Sequence, residues 1–209
     1  MDPIKLYNSS ILKAKSIKKG WLDSETNEVM FFKNDNYVIG YKVKSKTNDN
    51  YTISHKVDFS FNGNESVLFD NKKGARVYKG TSIEDARTWM GFAKNDFVAE
   101  VKIRDSEKVN FITLSMLENL DMKAIFPKRI EIYGKSNDRW LPINQLEIDL
   151  QDHPDDRKSY FKEFTLAVNL EGYNEVKIVA VNHFKFPKAP VYDRKRKYSW
   201  IFIDEVIFW

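Results

Sequence analysis

The amino-acid sequence predicts an all-β protein: a jelly-roll β-sandwich preceded by part of a small β-domain. Apolar residues recur at every second position in several stretches, as they do in strands with one buried face. Turn-forming residues separate these stretches, for example at 62–64 and 136–138. No long stretch carries a helical stripe. Many short strands with almost no helix are typical of sandwiches and jelly rolls.

The strands of the main domain are predicted in chain order. Five stretches alternate between core-facing and outward-facing positions, namely 97–103, 111–116, 129–133, 164–168 and 176–180. The last run, 200–209, is apolar on both faces apart from Asp204 and Glu205, which indicates a central strand of the sandwich.

The first fifty residues follow a different pattern. Strands are predicted at 11–17 and 26–32, joined near Gly20, with a third at 37–44. Two or three strands do not bury a sandwich core alone. We therefore expect residues 1–50 to be the C-terminal part of a small immunoglobulin- or fibronectin-like β-domain that begins upstream. Residues 51–209 then form the jelly roll.

The composition excludes several classes of function. The chain of 209 residues has no cysteine, which excludes disulfides, thiolate metal sites and a cysteine nucleophile. No apolar stretch reaches the roughly 18 residues of a membrane helix, so we expect no membrane partner. The net charge is +4, and residues 185–197 alone hold six basic residues against one acid. Because the remainder is nearly neutral, nucleic acid is the partner that we expect least.

No arrangement for catalysis is visible in the sequence. Asp204 and Glu205 are neighbours in a predicted strand, where adjacent side chains point to opposite faces and cannot flank one glycosidic bond. The three histidines are scattered without the spacing of metal ligands. A nucleophile elbow and a phosphate loop are also missing from the sequence. We therefore expect that the chain itself is not an enzyme.

Three stretches of the main domain are distinctive. They are 62–74 with Trp-Met-Gly-Phe at 89–92, Ile-Phe-Pro-Lys-Arg-Ile-Glu-Ile at 125–132 with Ser-Asn-Asp at 136–138, and Ser-Trp-Ile-Phe-Ile-Asp-Glu-Val at 199–206. In this order they resemble the galactose-binding-like (discoidin-type) jelly roll attached to bacterial β-N-acetylhexosaminidases. Residues 11–16, with Gly20 and Ser24, resemble the end of the small β-domain that precedes this jelly roll in chitobiase-like hydrolases.

The resemblance implies a non-catalytic carbohydrate-binding accessory module of a secreted or periplasmic glycoside hydrolase. Its partners would be a glycan or polysaccharide and a catalytic domain upstream in the same polypeptide. The sequence departs from the family pattern at two places. Asn71 stands where the family usually has glycine, and residues 184–198 lack the family's Pro-x-Trp/His-x-Gly run and carry Lys and Arg instead.

The resemblance also implies a structural Ca²⁺ site where the loop after the first strand meets the closing strand. Asp70 and Glu205 match the positions that contribute oxygen ligands, and Thr88 supplies a hydroxyl or a carbonyl. A second interpretation is equally open at this point. In it, Asp70 caps a turn and Glu205 bonds to the backbone or pairs with a lysine.

In this fold a sugar site lies on loops at one end of the sandwich. A sugar site needs aromatic side chains for the apolar face of the ring and a few fixed polar partners. The loops offer seven candidates, namely Arg87, Asn119, Asp121, His183, Phe184, Tyr192 and Arg194. The alternative is that the aromatic residues pack their loops down and Arg87 is a solvated charge. Trp200 is expected in the core, whereas Trp140 after its hairpin turn is either packed or exposed.

Two other functions stay open. The first is a purely structural domain that packs on a catalytic barrel and binds no sugar. The second is an interaction module for anionic polymers or proteins, which works through residues 194–197 because arginine side chains suit carboxylate and sulfate groups.

Overall fold

The computed structural model describes residues 4–7, 10–31, 37–46, 68–69, 90–119, 124–149, 160–184 and 198–209. These residues contain eleven strands and a 3₁₀ turn at Ser106–Lys108. The strands are β1 (Ser10–Ala14), β2 (Asn27–Phe31), β3 (Val38–Val43), β4 (Met90–Ala93), β5 (Phe97–Ile103), β6 (Phe111–Glu118), β7 (Arg129–Ser136), β8 (Arg139–Glu147), β9 (Tyr160–Ala167), β10 (Glu175–Val181) and β11 (Trp200–Phe208). Within the described ranges, no helix is long and apolar enough to cross a membrane.

Nine of these strands form the two sheets of a β-sandwich. One sheet has the order β3-β5-β10-β7-β8, and the other has the order β4-β11-β6-β9. Neighbouring strands are antiparallel in both sheets. Strands that are distant in sequence lie side by side, since β10 separates β5 from β7 and β11 separates β4 from β6. The prediction of an all-β jelly-roll sandwich is confirmed.

The core between the sheets is built from the alternation in the sequence. In β5, residues 97, 99, 101 and 103 are buried and the residues between them are partly or fully exposed. The same period of two buries Val176, Ile178 and Ala180 of β10. Both sets belong to one apolar cluster with Ile112, Leu114 and Met116 of the opposite sheet. Because the side-chain period of a strand is two, this pattern also determines the strand register.

The closing strand β11 is central in its sheet, as predicted. It pairs with β4 on one side and with β6 on the other, and residues 201–208 are all buried. A β-bulge between Ile203 and Glu205 shifts the pairing with β6. Core-facing residues are therefore 201 and 203 before the bulge and 206 and 208 after it. The bulge interrupts the simple alternation expected for Asp204 and Glu205, and both side chains are buried.

The N-terminal residues form a separate hairpin, in which β1 and β2 pair from Ser10 with Phe31 to Ala14 with Asn27. The predicted third strand forms, but as β3 it pairs with β5 of the sandwich. Its Tyr41 is buried in the main core. The chain has two compact units, residues 1–35 with Trp209 and residues 36–208, and β3 lies in the second. The predicted domain limits of 1–50 and 51–209 stay a prediction. The immunoglobulin- or fibronectin-like character of the first unit stays a prediction.

Candidate functional site

Several chain segments meet at one end of the sandwich, which we call the tip. The tip consists of residues 94–96 between β4 and β5, Asn119 and Ala124 between β6 and β7, 182–184 after β10, and 198–199 before β11. Trp200 pairs with Ala93 and forms a bridge with Ala124. The backbone N–H of Lys94 donates to the carbonyl of Ser199 at 3.5 Å. These contacts bring the segments together where the strands end.

Asn182 holds the tip in place. Its side chain is fully buried. The Nδ2 group donates to the carbonyls of Phe92 at 3.4 Å, Asn95 at 3.0 Å and Ser199 at 3.5 Å. The Oδ1 atom accepts from Ser199 Oγ at 2.5 Å and from the backbone N–H of Phe184 at 3.1 Å. Because an amide both donates and accepts, one side chain ties the β4–β5 turn to both ends of the segment between β10 and β11.

Two aromatic rings are exposed at the tip. Phe184 is 44% exposed and Tyr198 is 43% exposed. Phe184 has a φ of 57°, which lies in the left-handed region that side chains other than glycine seldom adopt. The backbone N–H of Phe184 donates to the Oδ1 atom of Asn182, so the buried side-chain amide of Asn182 supports this unusual turn. The Lys94 ammonium lies 3.9 Å from the centroid of the Tyr198 ring, close enough for a cation–π interaction.

The structure places three of the seven predicted sugar-binding residues. Phe184 is exposed at the tip, and His183 beside it is half-buried. Asn119 is buried, and its backbone pairs with that of Ala124. This pairing supports the β6–β7 loop, and the sugar contact of Asn119 stays a prediction. The other four, Arg87, Asp121, Tyr192 and Arg194, lie outside the described residues. So do Asp70 and Thr88 of the predicted calcium site.

The predicted metal ligand Glu205 is fully buried at the bulge of β11, where it pairs with Ser115 of β6. Strand β4, which is described from Met90 onward, pairs with β11 as far as Ile203. Beyond that point the carbonyl of Leu68 accepts from the N–H of Val206 at 2.7 Å. The segment that leads into Asp70 therefore lies beside Glu205. Among the residues that can be described, no three Asp, Glu or His side chains form a group that could hold a metal ion.

Trp200 does not lie in the main core. It stacks on Phe202 with ring centroids 5.7 Å apart, in a second apolar cluster with Leu117 and Ala124. Gly91 lies beneath both rings, and a Cβ there would be 3.2 Å from the Phe202 ring. The predicted burial of Trp200 is therefore only partial and is on the other face of the sheet.

Asn182 and Tyr198 are not among the site residues predicted from the sequence. The importance of Asn182 comes from carbonyl groups that are distant in the chain, and no local motif marks such a residue. Tyr198 had a weak signal, because it is an aromatic residue directly before the closing strand and directly after the basic run.

Comparison with known proteins gives fold-level similarity at most. No protein family and no curated protein sequence matches the chain. One similar solved structure is the K2 cleaved adhesin domain of Lys-gingipain (Kgp), with 9% identity, 58% of this chain and 70% of that chain covered, and a TM-score of 0.33. Another is CBM32-3 from a family 31 glycoside hydrolase from Clostridium perfringens, with 12% identity, 66% and 86% coverage, and a TM-score of 0.34. Similarity at this level does not assign the chain to a family.

Proposed function

We propose that this chain is a non-catalytic carbohydrate-binding module that binds a glycan at its tip. The observation that carries the proposal is the pair of exposed rings, Phe184 and Tyr198, on a backbone fixed by the buried Asn182. Sugar rings have apolar C–H faces that pack on aromatic side chains, and their hydroxyl groups bind polar groups near by. Lys94, which is exposed, and Asn95, which is half-buried, provide such groups at the same end.

We further propose that the module accompanies a β-hexosaminidase-like glycoside hydrolase in a secreted or periplasmic protein. The sequence motifs at 125–132 and 199–206 support this context through their resemblance to that family. The burial of Asp204 and Glu205 agrees with a module that leaves catalysis to another domain. Its role would be to hold that catalytic domain close to the polysaccharide.

Replacing Phe184 or Tyr198 with alanine is expected to weaken glycan binding by about tenfold, because loss of one ring contact removes about 1.4 kcal/mol. The measurement is affinity electrophoresis against neutral, amino and acidic polysaccharides, followed by calorimetric titration of the retained glycan. Phe31→Ala is the matched control, since Phe31 in the N-terminal hairpin is also 44% exposed. Retention of no glycan would favour the purely structural alternative. An equal effect of Phe31→Ala and Phe184→Ala would contradict a site at the tip.

We also propose that Ca²⁺ joins the segment that contains Asp70 and Thr88 to the closing strand through Glu205. The donor set fits this ion, since Ca²⁺ takes six to eight oxygen ligands and accepts carbonyl and hydroxyl groups beside carboxylates. Glu205 is buried, and the backbone N–H of the next residue, Val206, donates to the carbonyl of Leu68, which supports a tie between loop and sheet at this point.

Calcium removal is expected to lower the melting temperature by about 5–10 °C, because an ion at 100 times its dissociation constant stabilises a domain of this size by about 2.7 kcal/mol. The test is calorimetry with excess EDTA and then with Ca²⁺ or Mg²⁺ added back. Glu205→Gln is expected to abolish the calcium-dependent shift. Identical melting curves with EDTA and with Ca²⁺ would refute the site.

A further inference from the structure

The solvent side of the five-stranded sheet carries charged and aromatic side chains in register. In β7, Ile130 and Ile132 point into the core, so Glu131, Tyr133 and Lys135 stand on the outside. Lys177 of β10 lies opposite Glu100 of β5 and next to Tyr133 of β7, and Trp140 of β8 lies opposite Lys135. We call this set, with Arg129, Lys44 and Glu175, the outer sheet face.

Each of the three carboxylates near Lys177 is engaged by another cation. Glu100 pairs with Lys44 at 3.1 Å, and Glu175 pairs with Lys135 at 3.2 Å. Glu131 accepts from Arg129 Nε and, at 2.8 Å, from the Tyr133 hydroxyl.

The ionisation of the Glu131 carboxylate agrees with this arrangement. Burial by itself would raise the pKa of Glu131, but the hydrogen bonds from Arg129 and Tyr133 outweigh it and lower the pKa below its usual value. Glu131 is therefore ionised at neutral pH. Its hydrogen bonds come from Arg129 and Tyr133, while the charge of Lys177 acts on it only through space and also lowers its pKa.

Lys177 has aromatic neighbours instead of an acidic partner. Its ammonium lies 4.4 Å from the centroid of the Tyr133 ring and 5.1 Å from that of Trp140. No carboxylate of the described chain lies within ion-pair distance of it. The two rings therefore hold the ammonium over the sheet, and its N–H donors form no ion pair with a carboxylate of the residues that the structure describes.

We propose that the outer sheet face is a second binding surface, whose ligand is a saccharide that bears carboxylate or sulfate groups. Lys177 binds the anionic group, and Trp140 and Tyr133 contact the sugar ring beside it. Among its described residues, the surface offers one cation without an acidic partner beside three carboxylates. This pattern matches isolated charges on a sugar chain and repels a dense row of phosphates. This inference shares the ligand class of the proposed function but does not require the tip.

The test compares acidic and neutral oligosaccharides on the full chain. Tetragalacturonate supplies carboxylates, a heparin tetrasaccharide supplies sulfates, and chitotetraose is the neutral probe. Lys177→Gln is expected to weaken binding of at least one acidic probe by about tenfold or more and to leave the neutral probe unchanged. Added salt is expected to weaken the acidic binding, because exposed charges are screened. The matched control is Lys162→Gln, which removes a lysine that lies 5.3 Å over the Phe164 ring on the other sheet.

Equal losses in Lys177→Gln and Lys162→Gln would overturn the proposal, and so would equal affinity for acidic and neutral probes. If Phe184→Ala abolishes binding of the acidic probes and Lys177→Gln does not, the acidic sugar binds at the tip. In that case only the proposal for the outer sheet face fails. The proposal would also be overturned if a single-stranded oligonucleotide bound more tightly than the acidic oligosaccharides and this binding depended on Lys177. Trp140→Phe, which keeps a ring, is expected to bind better than Trp140→Ala. Thermal melting of each variant verifies that it is folded.

Discussion

Asn182→Asp is expected to lower the free energy of unfolding by about 4 kcal/mol near pH 7, because it creates a buried charge without a counter-ion. The side chain is fully buried, and its Nδ2 group donates to three backbone carbonyls. The substitution keeps the shape but replaces these donors with a carboxylate oxygen that faces carbonyl oxygens. Chemical denaturation in urea measures the loss.

The effect of Asn182→Asp is expected to depend on pH in a defined direction. Burial raises the pKa of the introduced carboxyl group in the folded state, so the folded state binds the proton more tightly than the unfolded state. The loss of stability is therefore smaller at about pH 4 than at about pH 8. Asn110→Asp is the matched control, since Asn110 is exposed and its amide donates only to the Lys108 carbonyl. Equal stability losses in the two variants would contradict the central role of Asn182.

Phe97→Ala is expected to lower the free energy of unfolding by about 4 kcal/mol, the usual cost of removing a buried phenyl ring. Phe97 is the first residue of β5, is fully buried and lies 5.2 Å from the ring of Phe92. The same truncation at the exposed Phe184 is expected to change stability by less than about 0.5 kcal/mol. Denaturation of both variants in urea provides the comparison.

The variants Phe97→Ala and Phe184→Ala also distinguish an effect on stability from an effect on glycan binding. Phe97→Ala is expected to lower stability and to leave the glycan affinity of the folded fraction unchanged. Phe184→Ala is expected to do the reverse. A large loss of stability in Phe184→Ala would show that its ring packs the tip rather than binds a ligand.

The strands with strict alternation could be predicted from the sequence. Apolar residues at every second position predicted β5, β7 and β10, and the structure buries these residues. The apolar run that begins at Trp200 predicted the central strand β11. Strand β8 was missed because it lies at a sheet edge, contains Pro142 and does not alternate in burial. The pairing of β3 with the sandwich could not be predicted for a similar reason. Its pairing with β5 spans more than fifty residues, and local patterns contain no information about such distant partners.

The candidate site was only partly predictable. Phe184 could be predicted because an aromatic side chain in a loop at the end of a strand can pack on the apolar face of a sugar ring. Asn182 could not, because its role depends on three carbonyl groups from two segments that are distant in the chain. The same limit applies to Trp140, whose environment is formed by Lys177 of β10 and Lys135 of β7. What a residue type can bind follows from the sequence, whereas the residues that surround it follow from the topology.

The direct contact between Asn182 and Ser199 has a practical consequence for engineering. These two residues close the base of the intervening segment by hydrogen bonds that do not involve any residue from 185 to 197. Foreign peptides inserted between them would therefore begin and end on anchored backbone, as in antibody-like display scaffolds. A library of such inserts could yield new specificities while the β-sandwich beneath is left as it is.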